Sequence, residues 1–192
     1  MKHIHEMNSA VPQNPVIFMK PSTAFLQNGR SFYYPDFSND IHYEVEVVLK
    51  ISRQGKHIKK EYIPDFIESV TVGIDFTARD VQDICKENGW PWELAKSFDF
   101  SAAVGHFVKI DPERLKDLSF ELRRNEETVQ ASDMSKMIFP IDELIPFISE
   151  RFTLQKGDLI FTGTPEGVGS IKKGDRFEGF LEKERLLDIS IR

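Results

Sequence analysis

Two glutamates one residue apart, Glu44 and Glu46, interrupt an otherwise apolar run, Tyr43-Glu44-Val45-Glu46-Val47-Val48-Leu49. The β-branched and aromatic residues of this run predict a strand. Alternate side chains of a strand share a face, so both carboxylates point the same way. Two like charges on a half-buried face repel and lose hydration unless a cation compensates them. Either that face opens to water or a metal ion sits on it. Asp75 interrupts a second strand candidate, Val70-Thr71-Val72-Gly73-Ile74-Asp75-Phe76, in the same manner. If the two strands are neighbours, three carboxylates converge. All-oxygen ligation of that kind suits a hard ion, Mg²⁺ or Mn²⁺, rather than zinc or copper. The alternative is a solvated strand face with Asp75 as a turn residue ahead of a helix.

Other residues near these carboxylates carry weaker signals. Arg79 and Gln82 lie three apart at the start of a predicted helix, on one side and close to its positive end. There Arg79 could meet an anionic substrate, or it could pair with Asp80 or Asp83 on the surface. Lys96 sits in a Trp- and Phe-rich loop where partial burial would suit a charge-stabilising group, although most lysines are solvated. The loop Gly163 to Gly169 could cradle an anion with backbone N–H groups. It ends in no Gly-Lys-Ser/Thr and carries no Gly-x-Gly-x-x-Gly, so neither phosphate-loop nor dinucleotide chemistry is indicated. His3 and Glu6 are spaced to share a helix face, where a carboxylate can orient an imidazole as general base. His3-Ile4-His5 could also be a His-x-His metal site, or these histidines could simply be solvated at a frayed terminus.

The elements that must position these residues are mostly strands. Pro15 to Met19 reads as a short buried strand, Asn28-Gly29 as a turn, and Leu118 to Leu122 as an alternating strand before a turn at Asn125 to Glu127. Thr77 to Gly89 is the clearest helix, with Thr77 as N-cap, Asp80 completing a capping box and Gly89 just past the end. Ile141 to Phe152 is a second, amphipathic one. Further strands lie at Leu159 to Phe161, around Phe177 and at Leu187 to Ile191. Strands outnumber helices without regular alternation, which predicts a mixed, mostly antiparallel α+β domain. With 192 residues and no linker or repeat, one domain over residues 1–192 is expected. The net charge of −6 offers no footprint for nucleic acid or an anionic membrane. One cysteine, Cys85, excludes an internal disulfide, and no run is long and apolar enough to span a bilayer. A cytoplasmic protein is expected.

Taken in order, these segments resemble the fumarylacetoacetate hydrolase family over almost the whole chain. The resemblance is carried by Phe18-Met19-Lys20-Pro21-Ser22, Tyr43-Glu44-Val45-Glu46, Gly73-Ile74-Asp75-Phe76-Thr77-Ala78-Arg79-Asp80-Val81-Gln82, Lys96-Ser97-Phe98-Asp99, Leu154-Gln155-Lys156-Gly157-Asp158 and Thr162-Gly163-Thr164-Pro165-Glu166-Gly167-Val168-Gly169. The short acylpyruvase branch, also known for oxaloacetate decarboxylase or tautomerase activity, is the most similar. The resemblance implies a β-roll or barrel with a few short helices and a homodimer. It implies Glu44, Glu46 and Asp75 as ligands of Mg²⁺ (or Mn²⁺) and Lys20, Arg79, Gln82 and Thr164 as substrate contacts. Lys96 would stabilise charge, while His3 and Glu6 would form a water-activating dyad on a short lid helix. Family members carry a strand and a Gly-x-Asn-Tyr segment before that histidine, whereas this sequence reads Met1-Lys2-His3, so either the start is truncated or the domain dispenses with that strand. The implied activity is Mg²⁺-dependent cleavage of a C–C bond in acylpyruvates. Oxaloacetate decarboxylation or keto–enol tautomerisation, and a non-catalytic metal-binding paralogue, are the alternatives.

Overall fold

The computed structural model describes residues 12–192. Thirteen strands form three sheets among these residues. The first sheet holds β1 (Phe25–Gln27), β4 (Val45–Ile51), β5 (Ile67–Asp75), β7 (Ala102–Val104) and β10 (Leu159–Phe161), ordered β1-β7-β5-β4-β10. A small sheet holds β3 (Ile41–Tyr43), β6 (Thr77–Ala78) and β11 (Gly169–Ser170), ordered β11-β3-β6. The third holds β2 (Ser31–Phe32), β8 (Ser119–Arg124), β9 (Glu127–Asp133), β12 (Arg176–Leu181) and β13 (Glu184–Ile191), ordered β2-β13-β12-β8-β9. Only β1–β7 and β2–β13 pair in parallel; every other ladder is antiparallel. The α-helices are short: α1 (Ile63–Phe66), α2 (Arg79–Asn88), α3 (Glu93–Lys96) and α4 (Ile141–Arg151). This is the mixed, mostly antiparallel α+β architecture the residue pattern predicts.

The two larger sheets pack on each other through Val70, Val72 and Ile74 of β5 and Phe177, Leu187 and Ile189 of β12 and β13, all fully buried. Val72 lies close enough to Gly179 that a Cβ there would meet it at 2.9 Å. Each such aliphatic or aromatic side chain contributes about 1.5–3 kcal/mol by leaving water. Because β4 and β5 are covered on both faces, nearly every residue of either strand is buried, polar ones included. Glu46 and Asp75 therefore sit on inner strands of the main sheet.

Local sequence explains the boundaries. Asn125 and Glu126, at φ 52° and 73°, form the two-residue turn between β8 and β9. Gly89 ends α2 at φ 66°, its N–H returning to the Lys86 carbonyl. Two local expectations fail. Pro15 to Met19 forms no strand: Val16 and Met19 are 59 % and 64 % exposed, and the Met19 carbonyl accepts from Ser97 Oγ at 2.6 Å. Proline at either end, Pro15 and Pro21, removes ladder donors, and the segment runs as extended chain along a cavity wall. Thr77 is not an N-cap: α2 begins at Arg79, with Ala78 preceding it and no side-chain cap. Thr77 lies in β6, where its hydroxyl is claimed by the carboxylate cluster, and Asp80 instead accepts from Ser38 Oγ at 2.6 Å and Asn39 N–H at 2.9 Å.

Candidate active site

The antiparallel register of β4 on β5 sets Val45 opposite Ile74 and Glu46 opposite Gly73, and the Asp75 N–H donates to the Glu44 carbonyl at 2.9 Å. The chain breaks ladder pairing at Glu44, between β3 and β4, without changing the side-chain alternation. Glu44, Glu46 and Asp75 consequently converge, one carboxylate oxygen of each lying within 4.8 Å of the others. Their exposures are 7 %, 5 % and 2 %, so the solvated-face alternative does not hold. Such a cluster needs positive charge.

Three side-chain cations supply part of it. Lys96, at the end of α3, donates through Nζ to Glu44 Oε2 (2.8 Å), Asp75 Oδ2 (2.7 Å) and Thr77 Oγ1 (2.6 Å). Lys20 Nζ pairs with Asp75 Oδ1 at 2.8 Å and donates to Ser101 Oγ at 2.9 Å and to the Lys96 carbonyl. Arg79 Nη2 pairs with Glu44 Oε1 at 2.5 Å and Nη1 donates to Gln82 Oε1 at 2.6 Å. Arg79 thus joins the cluster and not the surface acids Asp80 or Asp83. Burial opposes ionisation of Glu44, but Lys96 and Arg79 outweigh it and hold the carboxyl down to about 2. Burial likewise works against the Lys96 ammonium, and Asp75 with Glu44 reverses this and raises it. Lys20 is lowered, with burial prevailing over Asp75.

Glu46 is the exception. Among the described residues no side-chain cation contacts it; it accepts from the Gly163 N–H at the start of the glycine loop. Burial and then the neighbouring Asp75 charge push it up to about 8. The site as folded is one positive charge source short at Glu46, and its donor set is all oxygen, which fits a hard divalent cation. Glu46 carries a folded value above its ordinary 4.5, so its share of stability is full below 4.5 and falls as pH rises through about 8. Glu44 carries a lowered value, so its share is present above 4.5 and lost as pH falls toward about 2. Chelated protein is expected to lose stability between about pH 5 and 8, and saturating Mg²⁺ to abolish or reverse that slope, because a cation binds only ionised Glu46. Denaturant midpoints at several pH values, with chelator or with Mg²⁺, check this; equal slopes would contradict it.

Above the carboxylates opens a cavity of about 1640 Å³. Lys20, Glu46, Asp75 and Thr164 line it, with an apolar wall including Phe161 and Leu144. Arg79 and Lys96 are buried against Glu44, and Gln82 against Arg79; these four residues lie outside that lining. The structure therefore gathers eight of the expected residues into one site and divides them into cavity-facing and supporting groups. His3 and Glu6, and with them the His3-Ile4-His5 alternative, lie outside the described residues. Sequence reading missed Gln130 and Ser101, both buried and hydrogen-bonded into the site. A lone amide in an alternating strand carries no signal; only the contacts expose it.

A model of the fumarylacetoacetate (FAA) hydrolase C-terminal domain matches residues 1–187. The chain belongs to the fumarylacetoacetate hydrolase family. Within the family it is 40 % identical over 183 residues to the rat protein named oxaloacetate tautomerase FAHD1, mitochondrial, covering 94 % of this chain and 82 % of that one. The human protein of the same name is 41 % identical over 180 residues, covering 92 % and 80 %. Among solved structures, fumarylpyruvate hydrolase from Pseudomonas aeruginosa in complex with Mn²⁺ and pyruvate superposes with a TM-score of 0.91 at 33 % identity, covering 98 % of this chain and 84 % of that one. The 5-carboxymethyl-2-hydroxymuconate delta-isomerase from Mycobacterium smegmatis gives 0.86 at 32 %, covering 98 % and 73 %. Members of this family with this fold thus include tautomerases, hydrolases and isomerases. Among the described residues, no helix is long and apolar enough to cross a membrane.

Proposed function

We propose that this chain is a divalent-metal-dependent enzyme acting on small 2-oxo acids, with keto–enol tautomerisation of oxaloacetate as its reaction. The observation that carries the proposal is the buried cluster Glu44, Glu46 and Asp75, of which Glu46 and Asp75 line the cavity, bordered by cations. When bound there, Mg²⁺ or Mn²⁺ would supply Lewis acidity toward the oxygens of a 2-oxo acid. By formal charge Lys20, Lys96 and Arg79 equal the three carboxylates, although all their ion pairs go to Glu44 and Asp75 and none to Glu46, so a divalent ion would leave the site with two positive charges. A dicarboxylate dianion such as oxaloacetate restores the balance, and a neutral substrate would not.

The chain's own residues divide the remaining work. Arg79, Gln82, Lys96 and Thr77 hold Glu44 and Asp75 in one ionised geometry. Lys20 and Thr164 face the cavity and meet substrate oxygens directly. Tautomerisation moves one proton between C3 and the 2-oxo oxygen and needs no activated water, so the His3–Glu6 dyad that the family resemblance implies is dispensable in this reading. The naming of the rat and human relatives favours tautomerisation over the hydrolysis expected first from the sequence.

A second reading, Mg²⁺-dependent hydrolysis of an acylpyruvate, is supported by the Pseudomonas structure at TM-score 0.91. Its water would be activated by the same His3. Three parallel assays separate the readings: decay of enol-oxaloacetate absorbance, pyruvate release from oxaloacetate, and pyruvate release from acetylpyruvate, each with Mg²⁺ or chelator. Tautomerisation is expected to exceed the Mg²⁺-buffer rate by at least about 100-fold, the scale of positioned acid–base catalysis. No acceleration over that buffer overturns the proposal, and His3→Ala with full hydrolysis of acetylpyruvate removes the dyad from the second reading.

A further inference from the structure

We infer that Gln130 is a positioning residue that turns the Thr164 hydroxyl toward the substrate and ties the glycine loop to the strand bearing Glu44 and Glu46. This rests on the reading of the site as one that binds a small dicarboxylate. Gln130 lies on β9, the edge strand of the third sheet, and is 2 % exposed. Its side chain crosses to the main sheet. Oε1 accepts from the Val45 N–H at 2.9 Å, and Nε2 donates to Thr164 Oγ1 (2.9 Å), the Pro165 carbonyl (3.1 Å) and, longer, the Glu166 carbonyl (3.4 Å).

The place of these bonds in the ladder explains why an amide is needed. Backbone groups two residues apart on a strand face the same edge. β10 pairs with β4 only from Val48 onward, so the lower part of that edge lacks a strand partner. Thr162 closes it at the Val47 carbonyl, with N–H at 3.2 Å and Oγ1 at 2.9 Å. Gln130 closes it at the Val45 N–H, directly between the two glutamates. A buried N–H left open there would forfeit its hydrogen bond with no water to replace it.

The orientation of the amide is fixed by its partners. Val45 N–H can only donate, and the Pro165 and Glu166 carbonyls can only accept, so the oxygen faces Val45 and the NH₂ faces the loop. Thr164 Oγ1 is therefore an acceptor toward Gln130, and its own proton is left to donate elsewhere. Thr164 lines the cavity beside Glu46 and Asp75, where that proton meets an anionic substrate oxygen. Gly167 lets the loop lie this close: its φ is +97°, and a Cβ would collide with the Val129 carbonyl.

The test uses oxalate, a planar dicarboxylate, titrated calorimetrically into Mg²⁺-loaded full-length protein, with the Mg²⁺ affinity measured separately. Gln130→Met, which removes the donor and also leaves the Val45 N–H unpaired, is expected to weaken oxalate about tenfold, the scale of one hydrogen bond, while leaving Mg²⁺ affinity within about twofold, because Glu44 and Glu46 keep their own contacts with Arg79, Lys96 and Gly163. In a Thr164→Val background the same change is expected to cost nothing further, because both act through one hydroxyl proton. In the tautomerase assay the loss should appear in KM and not in kcat. Should Gln130→Met fail to fold, Gln130→Glu keeps the Val45 contact and size, replaces the donor with an acceptor that captures the Thr164 proton, and is read identically. Unchanged oxalate affinity, an equal loss in the Thr164→Val background, or a parallel fall in Mg²⁺ affinity would each overturn the inference while the dicarboxylate reading stands. Failure of the wild-type protein to bind oxalate at all overturns that reading and the inference with it.

Discussion

Glu46→Gln is expected to abolish Mg²⁺-dependent turnover while leaving the metal-free fold intact. In the metal-free protein burial and Asp75 hold Glu46 up to about 8, so at neutral pH its carboxyl is largely protonated. Glutamine is nearly isosteric with that protonated form and still accepts the Gly163 N–H, so stability with chelator should change by less than about 1 kcal/mol. The difference appears on adding metal. A cation at one hundred times its dissociation constant stabilises the wild-type protein by about 2.7 kcal/mol, and the variant, short of one anionic ligand, should gain little. Activity should fall by more than about 100-fold, since loss even of a group supporting a ligand costs 10–100-fold. A variant with equal Mg²⁺ stabilisation and full activity would remove Glu46 from the site.

Lys96→Met has the opposite signature: a large stability loss in chelator that Mg²⁺ partly restores. Lys96 is 3 % exposed and bridges Glu44 and Asp75 at 2.8 and 2.7 Å. Removing one partner of a buried ion pair strands the other charge, at a cost of about 3–5 kcal/mol. Arg79 remains on Glu44 and Lys20 on Asp75, which places the expected loss near 3 kcal/mol. A bound divalent cation faces the same two carboxylates and should recover a measurable part. Denaturant unfolding with chelator and with Mg²⁺ reads both effects; a loss under about 1 kcal/mol would mean that the pairs are solvent-screened.

The two variants also mark what the residue pattern could and could not convey. Glu44, Glu46 and Asp75 were legible because carboxylates inside apolar β-branched runs violate the rule for buried strands and so demand a partner. The strand-rich α+β class followed from alternation and turn residues such as Asn125. Gly89 was legible as a helix end because only a left-handed residue serves there. By contrast Thr77 has the type and spacing of an N-cap, and only the tertiary demand of Glu44 and Lys96 for its hydroxyl overrides that local preference. Pro15 to Met19 has the hydrophobicity of a strand, but Pro15 and Pro21 bracket it and remove ladder donors, a signal that its apolar run masks. Gln130 was invisible because its partners, Val45 and Thr164, lie 85 and 34 residues away. The burial of Arg79 and Gln82 behind Glu44, instead of toward the cavity, likewise depends on packing between elements.

The central claim is that Glu44, Glu46 and Asp75 hold one divalent cation to which a 2-oxo acid binds. Anomalous diffraction from crystals grown with Mn²⁺ and oxalate tests it most directly. The account predicts a single strong peak among the three carboxylates, contacted by one oxygen from each and by oxalate reaching toward Thr164. An empty cluster at saturating Mn²⁺, with Lys96 and Lys20 still filling it, would contradict the account.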